Sequence, residues 1–152
     1  ELLVVFLQHF MVLTASADHT GKLFDTTTGD CLQVFSGHSD AVMSAAVSHD
    51  GAYVVTTSSD CTAKLYDAAT GECKQTFLGH TKRVNTAEFS QDDVHLLTAS
   101  RDCTFRLYNV STGRCECRFS PGGECANTAV FSPDGRAILV ATGDSTAKLF
   151  HA

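Results

Sequence analysis

A constant spacing of 42 residues constrains this 152-residue chain more than any other feature. Four aspartates keep that spacing, at Asp18, Asp60, Asp102 and Asp144, and no insertion separates any two of them. A fixed internal period is the signature of a repeat array, in which each unit is one supersecondary element that packs on its neighbours. Dividing 152 by 42 gives about 3.6 units, so the sequence predicts stacked repeats.

Further positions follow the aspartates at fixed distances. A threonine comes two residues after each aspartate, and a leucine follows three residues later, between a cationic and an aromatic residue. These positions are Thr20, Thr62, Thr104 and Thr146; Lys22, Lys64, Arg106 and Lys148; Leu23, Leu65, Leu107 and Leu149; Phe24, Tyr66, Tyr108 and Phe150. Two Gly-His pairs, Gly37-His38 and Gly79-His80, also lie 42 residues apart. The same local structure is therefore expected in every repeat.

Each repeat reads as short strands separated by turns. In the second repeat, Val42 to Val47 and Tyr53 to Thr57 are rich in β-forming residues and are joined by the tight-turn signal His49-Asp50-Gly51. Thr62 to Tyr66 alternates after the next turn, and Cys73 to Phe77 completes the unit. No segment shows helical periodicity of useful length, so the predicted fold is all-β, built from four-stranded antiparallel sheets.

Composition narrows the class of function. A 43% hydrophobic content is enough for an ordinary core in one small module of this length. The net charge of −6 has the wrong sign for contacts with nucleic-acid phosphates, so we expect no direct nucleic-acid binding.

The chemically reactive side chains are dispersed along the chain. Five of the seven cysteines fall at repeat positions, namely Cys31, Cys73, Cys115, Cys61 and Cys103. The odd count argues against complete disulfide pairing and favours a reducing, intracellular environment. Cys115 and Cys117 point to one strand face and read as structural, with a redox or metal role as the alternative. The histidines lack metal-ligand spacing and the glycines lie at turns, so no metal, cofactor or enzymatic activity is predicted.

The apolar stretch from Leu2 to Leu13 raises the question of a signal or anchor. It is interrupted by Gln8 and His9 and is too short to span a bilayer. Val12 and Leu13 fall 42 residues before Val54 and Val55, which indicates degenerate strands of a first repeat. We therefore expect no membrane span.

These residues resemble the WD-repeat family of β-propellers. In that family a Gly-His pair opens the repeat and a Trp-Asp pair ends its third strand, where this chain has Phe24-Asp25, Tyr66-Asp67, Tyr108-Asn109 and Phe150-His151 and contains no Trp. The central repeats also loosely resemble those of heterotrimeric G-protein β subunits. The resemblance implies a non-enzymatic scaffold for protein–protein interaction, with a G-protein β-like signalling subunit as an alternative. That alternative would be supported by an amino-terminal coiled-coil helix, a pattern that this sequence lacks.

The resemblance also implies one hydrogen-bonded tetrad per repeat. Its expected members are His38, Ser58, Asp60 and Tyr66; His80, Ser100, Asp102 and Tyr108; Ser16 and Asp18; and Thr142 and Asp144. The outer repeats have phenylalanine in the aromatic place, and phenylalanine cannot donate a hydrogen bond, so weaker networks are expected there. A Ser58–His38–Asp60 hydrolase is the alternative reading, but a set that recurs with the repeat indicates a structural network.

The predicted repeats form one propeller segment spanning residues 1–152. Its blades are expected at about 1–36, 37–78, 79–120 and 121–152, the last without an outermost strand. Family members usually close a ring of about seven blades, so we expect an open or incomplete ring. Three explanations stay open: a piece of a longer propeller, association of two copies, or a different protein that covers the open ends. The edge from Thr146 to Phe150 would also accept an added strand.

The expected contact surface is the face formed by the loop after Gly-His and the turn before the tetrad aspartate. Candidate partner-binding residues are Asp40, Ser59, Lys82, Arg83, Asn85, Arg101, Glu124 and Asn127. Lys82, Arg83 and Arg101 would form a basic cluster suited to an acidic peptide, although an ordinary solvated turn is an equal alternative. The expected location is intracellular, in the cytoplasm or within a large cytoplasmic or organellar assembly.

Overall fold

The structure, a computed structural model, describes residues 2–3, 11–120, 122, 125–143 and 145–151. These residues form fifteen strands. The strands are β1 (Leu2–Leu3), β2 (Met11–Ala15), β3 (Gly21–Asp25), β4 (Cys31–Phe35), β5 (Val42–Val47), β6 (Tyr53–Ser58), β7 (Ala63–Asp67), β8 (Cys73–Phe77), β9 (Val84–Phe89), β10 (His95–Ser100), β11 (Phe105–Asn109), β12 (Cys115–Phe119), β13 (Ala126–Phe131), β14 (Ala137–Thr142) and β15 (Ala147–His151).

The strands form four antiparallel sheets in chain order, which we call blades 1 to 4. Blades 1, 2 and 3 contain β1–β4, β5–β8 and β9–β12, and blade 4 contains β13–β15. The predicted all-β architecture of antiparallel blades in an incomplete ring is confirmed. Blade 4 has three strands among the described residues, and β15 is its edge.

The sheets repeat down to their pairing register. The second and third strands place Val54 opposite Tyr66 and Leu96 opposite Tyr108. In both blades the pairing of the third strand with the fourth shifts register just before that aromatic residue. Such a shift is a β-bulge, which increases the local twist of the strand. A sequence period without insertions therefore produces blades of one shape.

The hydrophobic core lies between consecutive blades. Three clusters of buried side chains join blade 1 to blade 2, blade 2 to blade 3 and blade 3 to blade 4. We call the face that contacts the next blade the trailing face and the opposite one the leading face. Leu13, Val55 and Leu97 lie on trailing faces, and Val54, Leu96 and Ile138 on leading faces; all six are 0% exposed.

The trailing face of blade 4 is the exception. Leu139 occupies the position of Leu97 one repeat later, and it is 45% exposed. Leu149 corresponds to Leu107 one repeat earlier and to Leu65 two repeats earlier; it is 69% exposed, whereas Leu107 is half-buried and Leu65 is buried. An apolar face that is buried between the other blades is thus open to solvent here.

A polar contact joins blades 2 and 3 at the turns between their first and second strands. Asp93 has a φ of 57° at the position where blades 2 and 4 have Gly51 and Gly135, also with positive φ. Its carboxylate accepts hydrogen bonds from the backbone N–H groups of His49 and Asp50 and lies 3.0 Å from His49 Nδ1. These contacts explain why a carboxylate replaces glycine despite the strained backbone.

The amino-terminal apolar stretch contributes β1 and β2 to blade 1, and β1 pairs with β2. Residues 4–10 lie outside the described part of the chain. No helix long and apolar enough to cross a membrane is present among the residues that the structure describes.

Candidate functional site

A buried histidine connects two parts of each central blade. In blade 2, His38 Nδ1 lies 2.8 Å from Asp60 Oδ2, and His38 Nε2 lies 2.7 Å from Thr56 Oγ1. In blade 3, His80 makes the same contacts with Asp102 and Thr98, both at 2.8 Å. The loop after each Gly-His pair is therefore tied to the middle of the second strand and to the following turn.

The hydroxyl that faces each histidine belongs to Thr56 or Thr98, not to Ser58 or Ser100. Ser58 Oγ donates to the Asp40 carbonyl at 3.0 Å and accepts from the Asp60 backbone N–H. The histidine ring lies two residues deeper along the strand than the sequence analysis assumed. Ser58 at the strand end thus holds the loop backbone, and the Ser–His–Asp contact that the hydrolase alternative requires is not made.

Sequence reasoning missed the two threonines, although a signal existed. Thr56 and Thr98 are 42 residues apart, and Thr14 stands one repeat earlier. A hydroxyl in the middle of a strand that is otherwise buried needs a partner, and the histidine supplies it.

The tyrosine of each central blade bonds to the backbone just before the Gly-His pair and packs against the preceding blade. The Tyr66 hydroxyl donates to the Ser36 carbonyl at 3.1 Å, and its ring centroid lies 5.4 Å from that of Phe35 in blade 1. The Tyr108 hydroxyl likewise donates to Leu78, and its ring contacts Phe77. Burial raises the pKa of Tyr66 to about 12, so its hydroxyl stays protonated as a donor.

Burial and hydrogen bonding fix the charges within the network. Burial lowers the pKa of His38 and His80, and this effect exceeds the opposing effect of the aspartates. Burial works against the charge of Asp102, yet hydrogen bonds from Thr104 and His80 lower its pKa to about 2. Neutral histidine is thus paired with ionised aspartate, so Nδ1–H donates to the carboxylate and Nε2 accepts from the threonine.

The outer blades differ from this arrangement. In blade 1, Ser16 Oγ accepts from the Asp18 backbone N–H, and Asp18 forms an exposed ion pair with Lys22 at 2.7 Å. The hydrogen bond from Lys22 contributes most to lowering the pKa of Asp18.

In blade 4, residues that cannot form the polar chain occupy the equivalent positions. Gly122, Val140 and Phe150 stand where the central blades have histidine, threonine and tyrosine. Thr142 Oγ1 donates to the Thr146 carbonyl at 3.0 Å, and Phe150 packs on Phe105. Asp144 lies outside the described residues.

The candidate partner-binding residues of blades 2 and 3 lie where the loop after Gly-His meets the turn before the tetrad aspartate, except Asn85, which lies in β9; Asn127 lies in β13 of blade 4. Arg101 N–H donates to the Arg83 carbonyl at 3.1 Å, which brings these residues and Lys82 together. Ser59 N–H donates to Ala41 in the equivalent place of blade 2. Asp40, Lys82, Arg101 and Asn127 are exposed, and Ser59, Arg83 and Asn85 are half-buried. Glu124 lies outside the described residues.

The structure gives no support for metal binding in the part of the chain that it describes. No group of three or more histidine, cysteine, aspartate or glutamate side chains is arranged to hold an ion there. Cys115 and Cys117 are both exposed on β12.

The WD domain, G-beta repeat family matches residues 29–67 and 71–109, which together are more than half of the chain. The chain belongs to the WD-repeat family. No curated protein sequence matches it.

The tyrosine hydroxyl can be tested by a matched pair of substitutions. Tyr66→Phe removes the hydroxyl of a buried side chain that donates to the Ser36 carbonyl, so we expect a loss of about 1 kcal/mol in the free energy of unfolding. Tyr53→Phe is the control, because this half-buried tyrosine lies in the same blade with no hydroxyl partner among the described residues. Urea unfolding followed by circular dichroism measures both; equal losses would contradict the assigned role.

The lowered histidine pKa values predict a pH dependence of stability. As pH falls below 6.5, the unfolded chain takes up protons on His38 and His80 that the folded chain excludes, so the free energy of unfolding decreases. Each histidine contributes at most about 1.4 kcal/mol per pH unit. A second decrease begins below 3.8, where Asp60 and Asp102 become protonated in the unfolded chain before they do so in the folded one.

Urea midpoints measured over a pH series test this expectation. His38→Gln should reduce the slope below 6.5, and His19→Gln, at an exposed position, is the control for loss of one histidine. A slope that His38→Gln leaves unchanged would show that this histidine is not the titrating group.

Proposed function

We propose that this chain is a scaffold subunit that binds an acidic segment of another protein through the loop face of its central blades. WD repeats generally mediate protein–protein interaction, and the chain is a member of that family. The observation that supports the finer proposal is the basic cluster, defined as Lys82, Arg83 and Arg101.

The backbone of this cluster is held in place by the buried network. Ser100 Oγ lies 3.0 Å from the Lys82 carbonyl and 2.9 Å from the Arg83 carbonyl, and Asp102 accepts from the Thr81 N–H. Because the main chain is fixed, little backbone entropy is lost on binding, which favours affinity. The network thus presents the side chains without contacting the partner.

The charge of the cluster differs from that of the whole protein. The net charge is −6, yet three cationic residues lie here on backbone segments that are hydrogen-bonded to each other, and no salt bridge occupies their side chains among the described residues. Arg83 Nε donates to Asn85 Oδ1 at 3.0 Å, which orients the guanidinium group. Arginine binds carboxylates with two parallel hydrogen bonds, so a peptide rich in aspartate or glutamate fits this surface.

The exposed trailing face of blade 4 supports a second contact of the same scaffold. Leu139 and Leu149 are exposed at positions equivalent to trailing-face residues that are packed at the other boundaries. We propose that the leading face of a further WD blade covers them, since that kind of face covers every other trailing face in the structure. A second copy of this chain or a longer propeller would supply such a blade.

The setting that we propose is an intracellular assembly, cytoplasmic or organellar. All seven cysteines are free thiols, as expected of a protein kept in a reducing environment. A G-protein β-like signalling role remains the alternative within the same family.

The basic cluster can be tested by charge reversal. The double variant Lys82→Glu, Arg101→Glu should weaken binding of a fluorescent peptide of alternating glutamate and serine about tenfold, because each lost charge pair contributes roughly 0.5–1 kcal/mol. Fluorescence anisotropy at low salt measures the affinity.

The control is the double variant Arg114→Glu, Arg136→Glu, which changes the net charge equally at two exposed positions outside the basic cluster. It should bind nearly as well as the unaltered chain. An equal loss in both variants would mean that only overall charge matters and would contradict the proposed site.

The blade 4 face can be tested by molar mass in solution. Light scattering behind a sizing column should show species heavier than one chain, and Leu139→Asp with Leu149→Asp should shift the population to single chains, because charges on this face oppose its burial. Leu78→Asp, at another leucine that is 65% exposed, is the control. An unaltered chain that stays monomeric at all concentrations would contradict coverage of this face by a second copy of the chain.

A further inference from the structure

We propose that Cys103 and Cys125 form an oxidisable thiol pair, at which glutathione disulfide creates a disulfide bond between blades 3 and 4. Their sulfur atoms lie 3.3 Å apart in the structure. Both thiols are free and partly accessible to solvent. The pair is therefore within reach of a small oxidant.

The backbone around the pair brings the two thiols to one point. Cys103 lies in the turn between β10 and β11, and Cys125 directly precedes β13. Both sulfur atoms approach the Arg101 carbonyl, at 3.8 Å and 3.4 Å. The Arg101 N–H donates to the Arg83 carbonyl, and this bond holds the backbone of Arg101 in place. A disulfide needs the sulfurs to close to about 2.05 Å, so an approach of a little over 1 Å by side-chain rotation and small loop movement is sufficient.

The repeat provides an internal comparison. Cys61 stands 42 residues before Cys103, and Arg83 stands 42 residues before Cys125. The boundary between blades 2 and 3 thus has a thiol and a guanidinium group where the next boundary has two thiols. The thiol pair therefore occurs at the boundary between blades 3 and 4 and is not repeated at the boundary between blades 2 and 3.

The reaction is a balanced thiol–disulfide exchange. One cysteine thiolate attacks glutathione disulfide, breaks its S–S bond and releases one glutathione; the second cysteine then attacks the mixed disulfide and releases the other. Two protein thiols are oxidised, one glutathione disulfide is reduced to two glutathiones, and the two thiol protons pass to the released thiolates. The hydrogen bond to Cys125 raises the pKa of Cys103, so the reaction is expected to be faster at mildly alkaline pH.

The test uses the unaltered, fully reduced chain and glutathione disulfide at mildly alkaline pH. Remaining thiols are blocked, and the chain is cut with trypsin. Cys103 is the only cysteine between Asp102 and Arg106, and Cys125 is the only one between Phe119 and Arg136, so a joined peptide identifies the bond without ambiguity. We expect this joined peptide, with a mass lower by two hydrogen atoms than the two separate peptides.

Three controls separate the proposal from chance oxidation. Cys125→Ser should abolish the joined peptide and leave glutathione on Cys103, whereas Cys61→Ser should leave the joined peptide unchanged. In the urea-unfolded chain its yield should fall, because the neighbouring Cys115 and Cys117 then compete. Separate glutathione adducts on Cys103 and Cys125, or an equal yield from the unfolded chain, would overturn the proposal.

Discussion

Each blade of this protein has two apolar faces, and a single four-stranded sheet cannot bury either of them with its own residues. The structure solves this by contact between consecutive blades, so that every core cluster combines residues from two repeats. Leu97 on one blade is buried by Ile138 of the next, as Val55 is buried next to Leu96. The sequence period, the shared register and the common bulge all serve this packing, because only blades of equal shape stack with equal faces.

The buried polar networks are a second layer built on the same spacing. In the central blades, histidine, aspartate and threonine bond to one another, and the tyrosine hydroxyl bonds to the backbone just before the Gly-His pair. Blade 4 replaces three of these partners together, with Gly122, Val140 and Phe150, and no single buried polar group is left behind at these positions. Replacing all three residues together avoids leaving a buried polar group without a hydrogen-bond partner. A network with only some of its partners would be less stable than an apolar core at the same place.

Much of the fold could be predicted from the sequence because it depends on periodicity. The strand from Val42 to Val47 and that from Cys73 to Phe77 have the expected bounds, since both are flanked by clear turn residues. The composition of the networks could not be read in the same way. Ser58 and Thr56 both point to the same side of β6, and only the depth of the His38 ring decides which hydroxyl it meets. The approach of Cys125 to Cys103 likewise depends on how two blades pack.

Because each blade contacts only its neighbours, the stability of the array is a sum of the stabilities of single blades and of the contacts between them. Unfolding is therefore expected to begin at an end and to move inward one blade at a time. The hydrogen bonds that the Asp93 carboxylate accepts from His49 and Asp50 strengthen one boundary of this series, that between blades 2 and 3. Blades 2 and 3 are thus expected to be the part of the chain that unfolds last, and their backbone amides would be the last to exchange with deuterium.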